Sequence, residues 1–145
     1  MVYIKSKKEI ELMREPCRLA YLTHKVLEQY IKPGISTWQL DKIAEEFIKG
    51  NNAVPAQKNY PSGVKGVPDF PATLCISIND EIIHGIPSKE VFLKDGDIVS
   101  IDLVILNEEE NVYERYVKEM IETEILNRHL MYLLNQRIYI LSYNL

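Results

Sequence analysis

Glycine and proline vanish from this 145-residue sequence after Gly96 and Pro87. The last alanine is Ala72 and the last aspartate is Asp102, so residues 108–145 contain none of the four. Average usage would place about four or five Gly and Pro in a stretch that long. The same stretch holds five of the nine tyrosines, with many Ile, Leu, Asn and Glu. Two readings fit a break near Asn107. One is a long helix that needs no turn residues. The other is a tail foreign to the fold before it, as a frameshift or an internal deletion would leave. Cysteine is scarce as well. Cys17 and Cys75 lie far apart and form no CxxC pair, which excludes a disulfide scaffold and suits free thiols in a reducing cytosol. Basic charge is not in excess: 17 Lys and Arg stand against 21 Asp and Glu, a formal net charge of -4, with no basic block. Nucleic-acid binding is therefore not expected. No apolar run approaches the ~18 residues of a membrane span, and the N-terminal MVYIKSKKEIELM lacks the apolar core of a secretory signal.

What remains is globular. Apolar residues make up 46% and charged residues 26%, enough for one domain with a real core. Ser6 and Glu9 form a capping box that opens a helix, continued by Ile10, Met13, Cys17, Tyr21 and His24 at helical spacing. Pro16 should kink that helix. Pro33-Gly34 reads as a turn. A second box, Ser36 and Gln39, opens a helix whose apolar face is Leu40, Ile43, Ala44, Phe47 and Ile48, with Gly50 as its stop. Residues 51–72 are rich in Pro, Gly and Asn and read as one irregular loop of a length that is usually functional. Leu74 to Ile78 is a predicted strand and Glu81 to His84 a second, after an Asn79-Asp80 turn. Ile98 to Leu106 is the strongest strand, apolar on both faces apart from Ser100 and Asp102.

Asp102 is the most informative residue. A carboxylate inside a strand buried on both faces must be paired, protonated or bound to a metal. His84, in IIHGIP, should project from a strand end held by Gly85 and Pro87, where it serves a substrate, a ligand or nothing beyond local polarity. His24 falls on the apolar stripe of the first helix. His129 stands with Glu122 and Glu124 in the tail, at a spacing that matches no standard metal motif and reads as a solvated helix face.

CISINDEIIHGIP (75–87) and LKDGDIVSIDLVILN (93–107) together resemble the type I methionine aminopeptidases, and PGISTWQLDKIAEEFIKGNNAVPA resembles that family's second helix and the strand after it. The resemblance covers about residues 4–107. It implies an α/β (α+β) chain. Residues 1–107 would be the N-terminal half of a pita-bread fold, two helices packed on an antiparallel sheet. A divergent, mostly helical tail would follow at 108–145. Helix is expected over 108–134, with Ile121, Ile125, Leu126, Leu130, Leu133 and Leu134 as its stripe. Arg137 to Leu145 is β-prone.

The function implied is that of a metal-dependent exopeptidase, a hydrolase that removes the initiator methionine from nascent polypeptides in the cytoplasm, at the ribosome. Its cofactors are two divalent ions (cobalt, manganese, iron or zinc) acting as Lewis acids. Residue by residue, Asp102 matches the first metal-binding aspartate, and His84 the histidine that contacts substrate and stabilises charge at the scissile bond. Cys75 and Phe70, with Tyr60, match positions lining the methionine pocket, where aromatics and a soft thiol suit a thioether. The family's bridging aspartate lies eleven residues after the first, a position occupied here by Tyr113. Glu108, Glu109, Glu110 and Glu114 lie near that place without the family's His-Gly-Asp motif. The remaining His and two Glu ligands belong to a second half that this sequence does not match. The expectation is a truncated or frameshifted aminopeptidase, impaired on its own. The competing readings are a non-catalytic pita-bread-like binding protein, and an inactive relic that associates through an exposed half-core.

Overall fold

The computed structural model describes residues 4–107, 129–133 and 139–142, with side chains as far as Leu106. The first helix, α1 (Lys7–Glu28), begins at the expected box: the Glu9 amide donates to Ser6 Oγ at 3.3 Å and the Ser6 amide to Glu9 Oε2 at 2.7 Å. Pro16 lies inside α1, where it removes one rung of the ladder. The second helix, α2 (Thr37–Gly50), opens on Ser36 and Gln39. A helix start leaves amides unsatisfied. Here the Thr37 amide donates to Val91 O at 3.0 Å and the Trp38 amide to Ser88 O at 3.1 Å, so the segment around 88–93 seals the end of α2. The left-handed residue beyond α2 is Asn52 (φ 55), not Gly50, which is the last helical residue. Asn adopts that conformation more readily than most residues.

Among the described residues six strands follow, every pairing between them antiparallel: β1 (Ala53–Pro55), β2 (Cys75–Ile78), β3 (Ile98–Asp102), β4 (Ile105–Asn107), β5 (His129–Leu133) and β6 (Tyr139–Ser142). β1 and β4 make a two-stranded sheet, and the other four run in the order β2-β3-β5-β6. The core lies between the helices and these sheets. Leu27, Leu40, Ile48, Leu74, Ile76, Leu93, Val99 and Ile101 are fully buried in it. Each such side chain contributes about 1.5–3 kcal/mol of transfer free energy.

Four expectations are corrected. The run from Ile98 to Leu106 is two strands, broken at Leu103 and Val104. Each half finds its own partner: β3 lies between β2 and β5, while β4 pairs with β1, helped by the Ala56 amide donating to Val104 O at 2.9 Å. Residues 53–55, read as loop from composition although the family resemblance implied a strand after the second helix, are strand for the same reason. Glu81 to His84 is not a strand, because His84 holds φ at 59 and turns the chain back. The helix expected over 108–134 fails at 129–133, which form β5. HLMYL places apolar residues on both faces and so fits a covered strand, and the edge of β3 supplies its partner. The rest of that expected helix, 108–128 and 134, lies outside the described residues. Two helices on antiparallel sheet, as expected for residues 4–107, are present.

Candidate active site

The site is assembled where the two sheets meet. The ladder of β2 on β3 sets Cys75 directly opposite Asp102. Both are buried, with Asp102 only 4% exposed. Facing residues of an antiparallel pair lie on the same side of the sheet. Gln57 completes the group. It follows β1, and its amide nitrogen donates to Asp102 Oδ2 at 3.3 Å and to Cys75 Sγ at 3.4 Å. Its Oε1 is buried with no hydrogen-bond partner among the described residues. Burial, then the nearby charges of Asp102 and Asp41, push the Cys75 thiol up to about 12. Cys75 is therefore a neutral thiol at physiological pH, a soft apolar surface rather than a nucleophile.

The aromatic candidates are joined to this group through the backbone. The Tyr60 amide donates to Gln57 O at 3.0 Å, closing a turn. The Phe70 amide donates to Tyr60 O at 2.9 Å, and the Asn59 amide to Phe70 O at 2.8 Å. Tyr60 and Phe70, both half-buried, thus form the neck of the 60–70 loop. That settles how a loop of this length brings both aromatics to one place. His84 is exposed and left-handed at φ 59. The residue after it is fastened to β2: the Ile76 amide donates to Gly85 O at 2.8 Å and the Gly85 amide to Ser77 Oγ at 3.1 Å. His84 therefore stands beside β2, one strand removed from Asp102.

Two buried carboxylates of α2 hold the frame. Asp41 Oδ1 accepts from the amides of Thr73 and Leu74, each at 2.8 Å, and so fixes the chain entering β2. Glu45 gathers Lys42 at 2.6 Å, Lys49 at 2.7 Å and Lys58, the residue after Gln57. Burial opposes its charge, but hydrogen bonds from Lys42, Lys49 and Lys58 prevail and hold its carboxyl at about 2 instead of 4.5. A carboxyl depressed in the folded state contributes stability that is complete above its unfolded pKa and lost as pH falls through the folded one. Acid unfolding should therefore show a loss on the order of 2 kcal/mol between pH ~4.5 and ~2, discounted for the partly exposed lysines. Urea denaturation across that range checks it. Glu45→Gln should flatten this part of the profile, and an unchanged profile would show that the cluster adds nothing.

Gln57 and Asp41 were not singled out from the sequence. Gln57 carries no motif and sits in a loop, and Asp41 sits unremarkably on a helix. Tyr113, Glu108, Glu109, Glu110, Glu114, Glu122 and Glu124 lie outside the described residues. His129 opens β5 instead of standing on a helix face, and Ile101 opposite Leu130 sets the ends of β3 and β5 side by side. Among the described residues, no group of three or more His, Cys, Asp or Glu could hold a metal ion.

Two helices over small antiparallel sheets, with a carboxylate buried where the sheets meet, make an α/β part of a pita-bread fold. The family model for metallopeptidase family M24 matches residues 11–129, and the chain belongs to that family. It is 48% identical over 103 residues to methionine aminopeptidase 1 of Bacillus subtilis (strain 168), covering 71% of this chain and 38% of that protein. It is 47% identical over 108 residues to the methionine aminopeptidase of Clostridium acetobutylicum, covering 74% of this chain and 40% of the relative. The crystal structure of methionine aminopeptidase from Rickettsia prowazekii superposes with a TM-score of 0.63 at 38% identity, over 72% of this chain and 39% of that one. The chain thus spans about two fifths of the length of the curated relatives it matches.

Proposed function

We propose that residues 1–107 are the N-terminal, substrate-pocket portion of a methionine-aminopeptidase-type M24 enzyme, and that the 145-residue chain does not catalyse by itself. The observation that carries this reading is the placement of Asp102 against Cys75, with Gln57, Tyr60 and Phe70 leading from it and His84 beside β2. On this reading Cys75, Phe70 and Tyr60 receive the methionine side chain. His84 contacts the substrate near the scissile bond and Asp102 is a metal ligand. The substrate is the initiator methionine of a nascent polypeptide in the cytoplasm. The free thiols of Cys17 and Cys75 suit that compartment, and no helix among the described residues is long and apolar enough to cross a membrane.

A two-ion centre does not fit what is described. One carboxylate, already hydrogen-bonded to an amide, falls well short of the ligands such a centre needs. The same observation favours, as the second reading, a binding module without catalysis. Ile82, Ile83 and Ile86 beside His84, exposed at 88%, 55% and 60%, give either protein an apolar surface that a partner or a second copy could cover.

The test is methionine release from a Met-Ala-Ser peptide with cobalt or manganese. The 145-residue chain should release none. A chimera of residues 1–107 with the remainder of the Bacillus relative should release methionine in a chelator-sensitive way. His84→Ala or Asp102→Ala in the chimera should lower kcat/KM by about 100-fold or more, the scale on which lost electrostatic and positioning groups act. A folded chimera with no activity favours the binding module. Turnover by the chain alone overturns its assignment as non-catalytic.

A further inference from the structure

The family's use of divalent ions and the chemistry around Asp102 disagree, and the disagreement has a local cause. We propose that, in the 145-residue chain by itself, the Gln57 side-chain amide takes the place of a cation at Asp102, so that the buried carboxylate is held without metal. This goes beyond the aminopeptidase reading and concerns the chain alone; in the chimera, the ligands of the added half would have to draw the amide aside before Asp102 takes an ion.

A buried carboxylate needs donors or positive charge around it. Gln57 supplies a donor, with its nitrogen 3.3 Å from Oδ2. A carboxylate can only accept, so the amide must present its N–H side there. Its second N–H is also used, on Cys75 Sγ at 3.4 Å. The carbonyl oxygen is consequently turned away and left without a partner among the described residues, an unfavourable outcome that the Asp102 contact enforces. The backbone on either side of the residue is anchored. Gln57 leaves the β1–β4 sheet immediately after the Ala56–Val104 hydrogen bond, and its carbonyl is held by the Tyr60 amide. An ion approaching Oδ2 from this side meets N–H hydrogens, which repel it. A carboxylate at the same position would instead offer it two more oxygens.

The experiment follows from that geometry. Manganese(II), which prefers oxygen ligands, is titrated into the full chain and its variants by calorimetry, with circular dichroism to confirm folding. The wild-type chain should show no binding tighter than about 1 mM, the weak regime of sites with few charged ligands. Gln57→Ala should bind severalfold more tightly. Gln57→Glu, which faces Asp102 with a second carboxylate, should bind at least about tenfold more tightly, a change on the scale of altered ligand surroundings. The gain should disappear in the double variant with Asp102→Asn, and manganese should raise the melting temperature of Gln57→Glu alone. The proposal is overturned if folded Gln57→Ala and Gln57→Glu bind no better than wild type. Should neither variant fold, the wild-type chain decides: submillimolar binding abolished by Asp102→Asn overturns the proposal, and its absence supports it.

Discussion

Replacing Asp41 by Ala should lower the stability of the chain by about 3–5 kcal/mol, as much as truncating a fully buried apolar side chain of α2. One carboxylate oxygen accepts both the Thr73 and Leu74 amides at 2.8 Å, and all three residues are buried. Truncation leaves two buried amides with no acceptor, each costing about 1–3 kcal/mol. It also leaves a void that water fills poorly, and it removes the anion 3.5 Å from Lys42 Nζ. Asp41→Asn keeps one acceptor oxygen and should cost less, about 1–2 kcal/mol. Urea unfolding of both variants, with the midpoint and slope measured separately, checks the ordering. Equal losses for Ala and Asn would show that the negative charge, not the two amides, carries the effect. A loss under about 1 kcal/mol for Ala would show that β2 is held by its ladder alone. The consequence for the site is direct, since Leu74 is fully buried and immediately precedes Cys75.

The residues that a sequence reveals are those that break a pattern. Asp102 interrupts an apolar run, and burial then forces a chemical role on it, so its importance was legible from IVSIDLVIL alone. The two capping boxes were legible because their side chains act on backbone within three residues. His84 was marked by its Gly and Pro neighbours. Gln57 breaks no pattern. It matters because the pairing of β1 with the distant β4, Val54 against Leu106 being its centre, brings it within hydrogen-bond reach of Asp102. Nothing local encodes that pairing. The division of Ile98–Leu106 into β3 and β4 was hidden for the same reason: an apolar run contains no breaker, and only the competing partners divide it. Ile82 and Ile83 illustrate the converse. They fall in the strand expected after the Asn79-Asp80 turn, yet they stand in solvent where the chain takes a left-handed turn at His84. At His129–Leu133 the absence of Gly and Pro suggested helix, but such an absence permits strand equally, and the open edge of β3 decides it. The pita-bread architecture itself was legible through the family resemblance, and the position of the aromatics came only with the hydrogen-bonded neck between Tyr60 and Phe70.

Gly85→Ala should be the most sterically damaging of the six possible glycine-to-alanine changes. A Cβ at Gly85 would stand 2.0 Å from the Ile76 carbonyl oxygen and 2.7 Å from its carbon. Both are backbone atoms of β2 and cannot rotate away as a side chain would. The approach is close because the Ile76 amide donates to Gly85 O at 2.8 Å, so the 85 segment lies along the edge of β2 that β3 does not use. Relief requires breaking that hydrogen bond and the one from the Gly85 amide to Ser77 Oγ. Each is worth about 0.5–1.5 kcal/mol, and the displaced backbone adds overpacking of about 1–3 kcal/mol. A total loss of about 2–6 kcal/mol is therefore expected, enough to unfold much of a marginally stable domain. The effect should also be local. His84 keeps its left-handed backbone next to a residue clamped to β2, so freeing Gly85 releases the imidazole from its place beside that strand. The imidazole resonances of His84, compared between wild type and Gly85→Ala by NMR, should lose their dispersion at temperatures where the amide signals of Val99 and Ile101 are still native. Native His84 resonances together with wild-type stability would show that the clamp is not what holds the histidine. In an active chimera the same substitution should lower kcat/KM by about as much as His84→Ala, while Ser77→Ala, which removes only one of the two hydrogen bonds, should cost far less.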